Sequence, residues 1–470
     1  MKDLTQGSIT SNIIAMAAPM AAGMIFQTLY LMVDLYFVAA LGDASIAGVG
    51  AAGTIFFVVM GLSQVLGVSS VALISQAVGR KDRDEANLIF NQSLVLAAIC
   101  SAITIVSGYS LADEYMTAIA AGDAQIEGVR FMHFFLPGMA LQFALVGMGS
   151  ALRGTGIVKP TMMIQVFTII LNTILAPVLI AGWGPGPALG VVGAGLASSI
   201  SVFVGVILLT IYFIKLEKYV SFQKALWRPQ IVLWKRMLNI GLPAGGEMML
   251  MFIYSAIVYG VIQEFGEAAQ AGFSMGGRIM QAIFMPAMAI AFSVGPIAGQ
   301  NFGARQAGRV KETCFRGILL NSLVMVAVTI FLQLKADLLI RFFTDETDVI
   351  AVGADFLRII SWNFLAQGIV FTCSGMFQGL GNTRPSMMSS GFRLLVFIPI
   401  VMYLSSQPDF SINQVWYVSI LSVTLQAILS FSLILREFRL KLSGLEPRPR
   451  PAENLGPESS QADIGVVEAE

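Results

Sequence analysis

The fold follows from residues 265–303, which read FGEAAQAGFSMGGRIMQAIFMPAMAIAFSVGPIAGQNFG. This stretch predicts a membrane-spanning helix over residues 270–300, because about 20 mostly apolar residues suffice to cross the hydrocarbon core of a bilayer. Eleven further apolar stretches of comparable length occur along the chain. The twelve predicted spans are residues 13–40, 46–77, 88–110, 126–151, 160–182, 190–214, 239–263, 270–300, 313–334, 350–376, 386–405 and 415–435. We therefore predict an all-α integral membrane protein, since bundled helices satisfy their own backbone polar groups in lipid.

The composition of the 470-residue chain excludes several classes of protein. Hydrophobic residues make up 56% and charged residues 12%, against about 25% charged residues in soluble globular proteins, and the mean hydropathy is +0.78. This balance excludes a soluble enzyme, a disordered protein and a nucleic-acid-binding protein. Three scattered cysteines and a single histidine give no disulfide framework and no metal-ligand spacing. The chain also has no P-loop and no clustered nucleophile, so we expect neither an enzyme nor a bound cofactor.

The stretch at residues 265–303 has a counterpart in the first half of the chain. The residues that coincide at a shift of 224 include Pro19 with Pro243, Gly48 with Gly272, Gly53 with Gly277, Gln76 with Gln300 and Gly79 with Gly303. At a shift of 225, Gly154, Gly156 and Pro160 coincide with Gly379, Gly381 and Pro385. Because each repeat holds six spans, an even number, both repeats enter the membrane from the same side. The sequence thus predicts two pseudo-symmetric six-helix lobes around a central cavity, related by an axis along the membrane normal.

Basic residues predict the orientation of these lobes. With a cytoplasmic N-terminus, 22 of the 28 Lys and Arg residues lie in cytoplasmic segments and 2 lie in outer loops. An excess of Lys and Arg marks the cytoplasmic loops of membrane proteins, so we expect both termini in the cytoplasm. The expected organisation is an N-terminal lobe at 1–217, a basic linker at 218–238, a C-terminal lobe at 239–440 and a disordered, proline-containing cytoplasmic tail at 441–470.

Several motifs resemble those of one transporter family. Phe265–Gly303 and QTLYLMVDLYFVAALGDASIAGVG (Gln27–Gly50) are similar to the second-half and first-span signatures of the multidrug and toxic compound extrusion (MATE) family. LRGTGIVKP (Leu152–Pro160) and FQGLGNTRP (Phe377–Pro385) resemble its paired loops between spans four and five and between spans ten and eleven. The resemblance covers about residues 8–435.

This resemblance implies a twelve-helix secondary antiporter that works by alternating access between its lobes. Its partners would be small amphipathic, often cationic organic compounds, H⁺ or Na⁺, and the lipid bilayer, with no nucleic acid. The expected form is a monomer in the cell inner membrane. The alternative is a lipid-carrier or polar-metabolite flippase or exporter of the same broad superfamily, which tends to carry more cationic charge in its cavity and often extra spans.

Asp34 is the first candidate for ion coupling, since ionisable groups within membrane spans are costly and commonly functional. It matches the acid of the family's first span, and it would alternate between protonated and charged states. The alternative is a structural acid, capped by a hydroxyl or placed at the lipid interface. Asn172 and Ser198 match two more positions of the family's cluster, but Ala176 stands at its second acid position. A site with one carboxylate disfavours Na⁺, which wants several oxygen ligands, and favours H⁺. Asn172 and Ser198 also suit simple interhelical hydrogen bonding.

The second lobe has its own charged candidates for the cavity. Glu247 lies in span seven, one turn from the acid position that the family uses there, and Gln367 stands where some members have an acid in span ten. Arg393 lies inside span eleven and needs a partner, for which Glu247 is the obvious candidate. Two interpretations stay open, namely a fixed Glu247–Arg393 pair that holds the lobe together and a role in substrate binding or proton coupling.

Pro19 and Pro243 occupy equivalent points of spans one and seven. Proline removes a helical hydrogen bond and can bend a helix, so paired bends would suit lobes that open and close. A static kink is the alternative.

Overall fold

The computed structural model describes residues 2–183 and 187–445, apart from the side chains of residues 28–35 and 39. In this part of the chain it contains α-helices, two short 3₁₀ turns and no strand, which confirms the predicted all-α class. The helices are α1 (Ile9–Ala39), α2 (Asp43–Gly79), α3 (Arg83–Ile119), α4 (Asp123–Gly154), α5 (Lys159–Ala181), α6 (Val191–Lys215), α7 (Ile231–Ile262), α8 (Glu267–Gly303), α9 (Ala307–Arg341), α10 (Thr347–Ile360), α11 (Asn363–Gly379), α12 (Arg384–Ser405) and α13 (Ile412–Leu442).

Twelve membrane spans result if one broken helix counts as a single span. Eleven of the described helices are long and apolar enough to cross a bilayer, and α10 and α11 together form the twelfth, with a bend of 56° between them. The sequence predicted this tenth span as one continuous helix over 350–376. The break is stabilised from α9, where Gln333 Nε2 donates to the Arg358 carbonyl at 2.8 Å and Thr329 Oγ1 donates to the Ser361 carbonyl at 2.9 Å. These side chains satisfy carbonyl groups that a straight helix would bond internally.

The surface of the bundle is apolar as well as its interior. Large side chains such as Val106, Ile214 and Leu395 are 65–74% exposed on the outer helix faces. Such a surface is unfavourable in water and suits contact with lipid chains. Buried polar residues instead lie between helices, where many of them find hydrogen-bond partners.

The first helix of each lobe packs partly against the other lobe. Ile13 and Met16 of α1 share an apolar cluster with Val294 of α8. In the equivalent arrangement, Met237 of α7 shares a cluster with Leu73 of α2. The two lobes, α1–α6 and α7–α13, are therefore joined by reciprocal helix contacts as well as by the linker.

The linker differs from its predicted bounds. The predicted linker ran over 218–238, but α6 ends at Lys215 and α7 begins at Ile231. Residues 231–238 are therefore the first two turns of a helix. The remaining segment is held on α3, where Asn91 Nδ2 donates to the Ser221 carbonyl at 2.9 Å and Gln92 Nε2 donates to the Leu226 carbonyl at 2.6 Å.

The C-terminal boundary is also shifted, because α13 continues to Leu442, two residues into the predicted tail. Residues 446–470, which make up most of that predicted disordered tail, lie outside the described residues.

Candidate transport site

The lobes meet most closely at one end of the bundle, where α1 begins and α13 ends; we call it the terminal end. Two glutamines join the lobes there. Gln76 Nε2 donates to the Gly379 carbonyl at 2.9 Å, and Gln300 Nε2 donates to the Gly154 carbonyl at 3.0 Å. Both glutamine side chains are buried. We call these two hydrogen bonds the paired glutamine contacts. They are equivalent in the repeat, because the two glutamines coincide at a shift of 224 and the two glycines at a shift of 225.

Glycines allow the backbones to approach each other at these contacts. A Cβ added at Gly79 would overlap the carbonyl oxygen of Gln300, and a Cβ added at Gly303 would overlap the carbonyl oxygen of Gln76. The ends of α2 and α8 therefore touch without intervening side chains. This explains in physical terms why both repeats have glycine at this point.

The N-terminal segment adds a further connection at the same end. Lys2 N donates to the Thr155 carbonyl of the first lobe at 2.9 Å, while Leu4 N donates to Gln300 Oε1 of the second lobe at 2.9 Å. Arg309 Nη1 donates to the Gly7 carbonyl at 3.0 Å. Residues 2–7 thus bridge both lobes beneath the paired glutamine contacts.

Towards the opposite end the lobe interface loosens. Phe57 of α2 and Phe252 of α7 still contact each other, with ring centroids 4.8 Å apart. One turn beyond Phe57, a Cβ added at Gly53 would meet no atom within 4 Å, and the same holds at its equivalent, Gly277. The described contacts between the lobes are therefore closest at the terminal end and looser towards the other.

The first-lobe cluster is partly assembled in the structure. Asn172 Nδ2 donates to Ser198 Oγ at 3.2 Å, and the two residues are only 3% and 6% exposed. Ala176, at the place of a second acid, is fully buried in an apolar cluster with Val38. Asp34 belongs to α1, but its side chain lies outside the described residues.

The register of α1 against α5 is given by a contact nearer the terminal end. Gln165 Nε2 of α5 donates to Gln27 Oε1 of α1 at 3.3 Å. The two helices run in the same direction, since each is the odd-numbered helix of an alternating bundle. Residues 34 and 172 each follow this pair by seven positions, which is two helical turns.

In the second lobe, Glu247 is held by serine hydroxyls. Its Oε2 accepts a hydrogen bond from Ser374 Oγ of α11 at 3.0 Å, and Ser386 of α12 lies beside the same carboxylate. Ser374 Oγ in turn accepts from Gln378 Nε2 at 3.4 Å. Glu247 therefore carries its carboxylate between three helices of the lobe.

The expected Glu247–Arg393 ion pair is not formed among the described residues. Arg393 instead stacks on Tyr254, with its guanidinium carbon 3.9 Å from the ring centroid. Its Nε is buried and has no hydrogen-bond partner. The physical reason is the position of Arg393 along its helix. Ser386 is the residue of α12 that lies beside Glu247, and Arg393 lies two turns further along α12. Gln367 is half-buried in α11 and lies two turns from Ser374 in the same direction.

Both prolines lie inside helices that continue past them. Pro19 is half-buried within α1, and Pro243 is buried within α7. At the terminal side of Pro243, an added Cβ at Gly241 would overlap the Val65 carbonyl oxygen of α2. The proline of α7 thus lies where the two lobes are in contact.

Sequence reasoning missed the residues that connect these groups. Gln76 and Gln300 were recognised as repeat matches but were given no role, although a buried polar residue retained in both repeats is itself a signal. Ser386 and Tyr254 were also missed. The available signal was spacing, because Ser386 precedes Arg393 by seven residues and Glu247 precedes Tyr254 by seven.

Two helical lobes that meet reciprocally at one end, with polar groups buried inside each, define a two-lobed membrane transporter. Comparison with known proteins identifies its family. The family model MatE matches residues 19–178 and 243–404, one segment in each lobe. The chain belongs to the MatE family of multidrug efflux transporters, which confirms the resemblance of its motifs and its assignment as a transporter and not an enzyme. The matched segments begin at Pro19 and Pro243, the residues that coincide at a shift of 224.

Individual relatives support this assignment. A probable multidrug resistance protein NorM from Thermotoga maritima is 27% identical over 383 residues, which cover 81% of this chain and 82% of the relative. A solved structure of a MOP superfamily transporter from Pyrococcus furiosus matches with a TM-score of 0.86 at 25% identity and covers 95% of this chain and 98% of its own. A multidrug resistance MATE transporter described as outward-facing has the same fold, with a TM-score of 0.86 at 24% identity and coverage of 95% and 98%.

Proposed function

We propose that this protein is a secondary active antiporter that exports amphipathic, often cationic organic compounds in exchange for inward H⁺. The observation that carries the proton assignment is the first-lobe cluster. There, Asn172 and Ser198 form a buried hydrogen bond, while Ala176 fills the second acid position with apolar surface. A proton needs one carboxylate that can change its charge, whereas Na⁺ needs several oxygen ligands in a shell. We propose Asp34 as that carboxylate.

The helix register supports the proposed position of Asp34. Two turns beyond the Gln27–Gln165 contact, residue 34 of α1 and residue 172 of α5 reach the same level of the lobe. Protonation of Asp34 would remove a charge next to Asn172 and Ser198, and so change which packing of α1 is favoured. A change of charge within a membrane span is large enough in free energy to bias two conformations.

The lobe contacts support alternating access. The basic residues favour placing the terminal end in the cytoplasm, and we propose a monomer in the inner membrane. In that orientation, closure by the paired glutamine contacts and the open space at Gly53 and Gly277 correspond to an outward-open state. Export then requires the glutamine contacts to break, so that substrate enters from the cytoplasm.

Pro19 and Pro243 are proposed as the bending points in this cycle. Each lacks the N–H group that would bond the preceding turn, so α1 and α7 lose a hydrogen bond at the same point of their lobes. Bending of α1 at Pro19 would move Asp34 relative to Asn172 and couple protonation to the shape of the cavity.

The test is transport of a cationic dye in proteoliposomes, under an imposed pH gradient or an imposed Na⁺ gradient. We expect dye movement driven by the pH gradient, and its loss in Asp34→Asn, because the amide cannot exchange a proton. The matched control is Asp113→Asn, which alters an exposed carboxylate on α3 and should leave transport unchanged.

Two results would contradict the proposal. Dye transport by Asp34→Asn at the wild-type rate would exclude Asp34 as the coupling acid. A strict need for Na⁺ at constant pH would exclude proton coupling. Protein content and monodispersity of each sample separate loss of coupling from loss of folding.

A further inference from the structure

Arg393 is a cation in the middle of a membrane span without an anionic partner. Within the described residues it forms no ion pair, and its buried Nε has no hydrogen-bond partner. Its one close partner is the ring of Tyr254 at 3.9 Å. Transfer of an uncompensated charge from water into such an environment is strongly unfavourable, so the geometry calls for an anion, which the described residues do not supply.

The surroundings of Arg393 contain further unsatisfied polar atoms. Tyr254 Oη and Ser419 Oγ are hydrogen-bonded at 2.7 Å, and Ser419 Oγ also accepts from Asn363 Nδ2 at 3.3 Å. The buried Asn363 Oδ1 has no partner in this arrangement, and neither has Gln426 Oε1, whose amide donates to Ser390 Oγ at 3.1 Å. Buried polar atoms that lack a protein partner indicate a place for water or for a ligand.

The stacking on Tyr254 leaves the guanidinium suited to a carboxylate. The ring centroid lies 3.9 Å from the guanidinium carbon, and the N–H bonds of a guanidinium lie in its own plane. A fork of N–H groups matches the two oxygens of a carboxylate, and this match is specific to arginine.

Glu247 lies in register with Arg393 on the same pair of helices. Glu247 contacts Ser386, and Tyr254 contacts Arg393, so each contact on α7 and α12 is repeated seven residues further along. Seven residues are two helical turns, or about 10.5 Å. The contact between α7 and α12 thus has a carboxylate at one level and a guanidinium two turns away.

We propose that Arg393 and Tyr254 form a subsite for the carboxylate of amphipathic zwitterions, whose amine end faces Glu247. The inference rests on the proposed export function and names the residues that would hold the carboxylate end of such a substrate. A compound with an amine alone would bind at the Glu247 level and leave Arg393 without a counter-ion.

The test uses two fluorescent dyes that differ by one charge. Rhodamine 110 has a free carboxylate, and rhodamine 123 is its methyl ester. Binding of each dye to purified protein is measured by fluorescence polarisation, without any ion gradient. We expect Arg393→Gln to weaken rhodamine 110 binding by about tenfold or more, the size expected for loss of a charged hydrogen bond. Rhodamine 123 binding should not weaken.

Three further variants sharpen this test. Arg393→Lys keeps the charge but loses the fork, so rhodamine 110 binding should fall by less than in Arg393→Gln. Tyr254→Leu removes the stacking surface and should also weaken rhodamine 110 selectively, which tests the subsite if Arg393→Gln does not fold. Arg278→Gln alters an exposed arginine of the same lobe and should change neither affinity.

The outcomes separate the subsite from the proposed function. Equal weakening of both dyes by Arg393→Gln would reveal a structural role only, and unchanged binding of both would exclude the subsite. If wild-type protein binds rhodamine 110 in an Arg393-dependent way but a pH gradient moves neither dye, the proposed antiport fails and the subsite stands.

Discussion

Glu247 keeps its carboxylate inside the second lobe with the help of hydroxyl groups instead of a cation. Ser374 of α11 donates to it, and Ser386 of α12 lies beside it. Hydroxyl donors can satisfy a carboxylate without cancelling its charge, which in the proposed function leaves Glu247 available to an incoming cation. A fixed ion pair with Arg393 would have removed that capacity.

The separation of Glu247 from Arg393 has a measurable consequence for stability. We expect the effects of Glu247→Gln and Arg393→Met on the free energy of unfolding to add within about 0.5 kcal/mol, because sites without shared partners behave independently. The measurement is a double-mutant cycle by denaturant unfolding in mixed micelles. Partial rescue of Glu247→Gln by Arg393→Met would contradict the structure and restore the ion pair as the explanation.

At this scale the sequence could single out charged residues within the spans but could not predict their contacts. Glu247 and Arg393 stand out because charges are rare within apolar spans. Their partners depend on how α7, α11 and α12 are rotated against each other, and Ser374 lies 127 residues from Glu247 along the chain. The pattern of one helix carries no information about that rotation.

The fourth spans of the two lobes differ at the same level. In the first lobe Pro137 lies inside α4, which continues through it. Its equivalent at a shift of 225 is Trp362, where α10 and α11 separate with a bend of 56°. The helix with the proline is thus the continuous one, and the helix without it is broken. Hydrogen bonds from Gln333 and Thr329 of α9 stabilise the break. The local sequence carries no signal for these contacts, which is why its apolar pattern predicted one unbroken span.

Gln333 is expected to be important for the stability of this break. It donates both to the Arg358 carbonyl and to Ser361 Oγ, at 2.8 and 2.9 Å. Gln333→Ala should lower the free energy of unfolding by about 1–3 kcal/mol, because polar groups at the break lose a donor. Gln281→Ala, on an exposed face of α8, should change it by less than about 0.5 kcal/mol. Equal effects of the two substitutions in the same unfolding assay would show that the cap contributes nothing.

The close approach of α2 and α8 brings the two lobes together at the terminal end of the molecule. Sequence repetition could predict two equivalent lobes, and it aligned Gly79 with Gly303 and Gln76 with Gln300. It could not predict that these residues face one another, because internal similarity reports equivalence and not proximity. The structure adds that each glycine touches the backbone of the other lobe's glutamine.

Gly79→Ala should therefore shift the molecule away from terminal-end closure. The added methyl group overlaps the Gln300 carbonyl, which is backbone and cannot rotate away. Spin labels at Asp84→Cys and Gly308→Cys, equivalent exposed positions of the two lobes, would report the distance across this end, with the three native cysteines replaced. We expect Gly79→Ala to add a population at longer distance, since the closed state loses free energy relative to the open one.

The control for this experiment lies on the same helix. Gly53→Ala places its methyl group in open space and should leave the distance distribution as it is in the parent protein. An identical distribution for Gly79→Ala and Gly53→Ala would mean that the contact does not limit closure.

The paired glutamine contacts also form a self-complementary interface. Gln76 reaches Gly379 of the second lobe, and Gln300 reaches Gly154 of the first. An interface in which each half offers the other the same donor and acceptor is isologous, as in a two-fold homodimer. A free six-helix chain with this glutamine and this glycine would hold both halves of the contact and could dimerise through it. Covalent fusion of two such subunits keeps that dimer geometry but allows the interiors of the two halves to differ in sequence. In this chain one half holds Asp34 and Asn172, and the other holds Glu247 and Arg393.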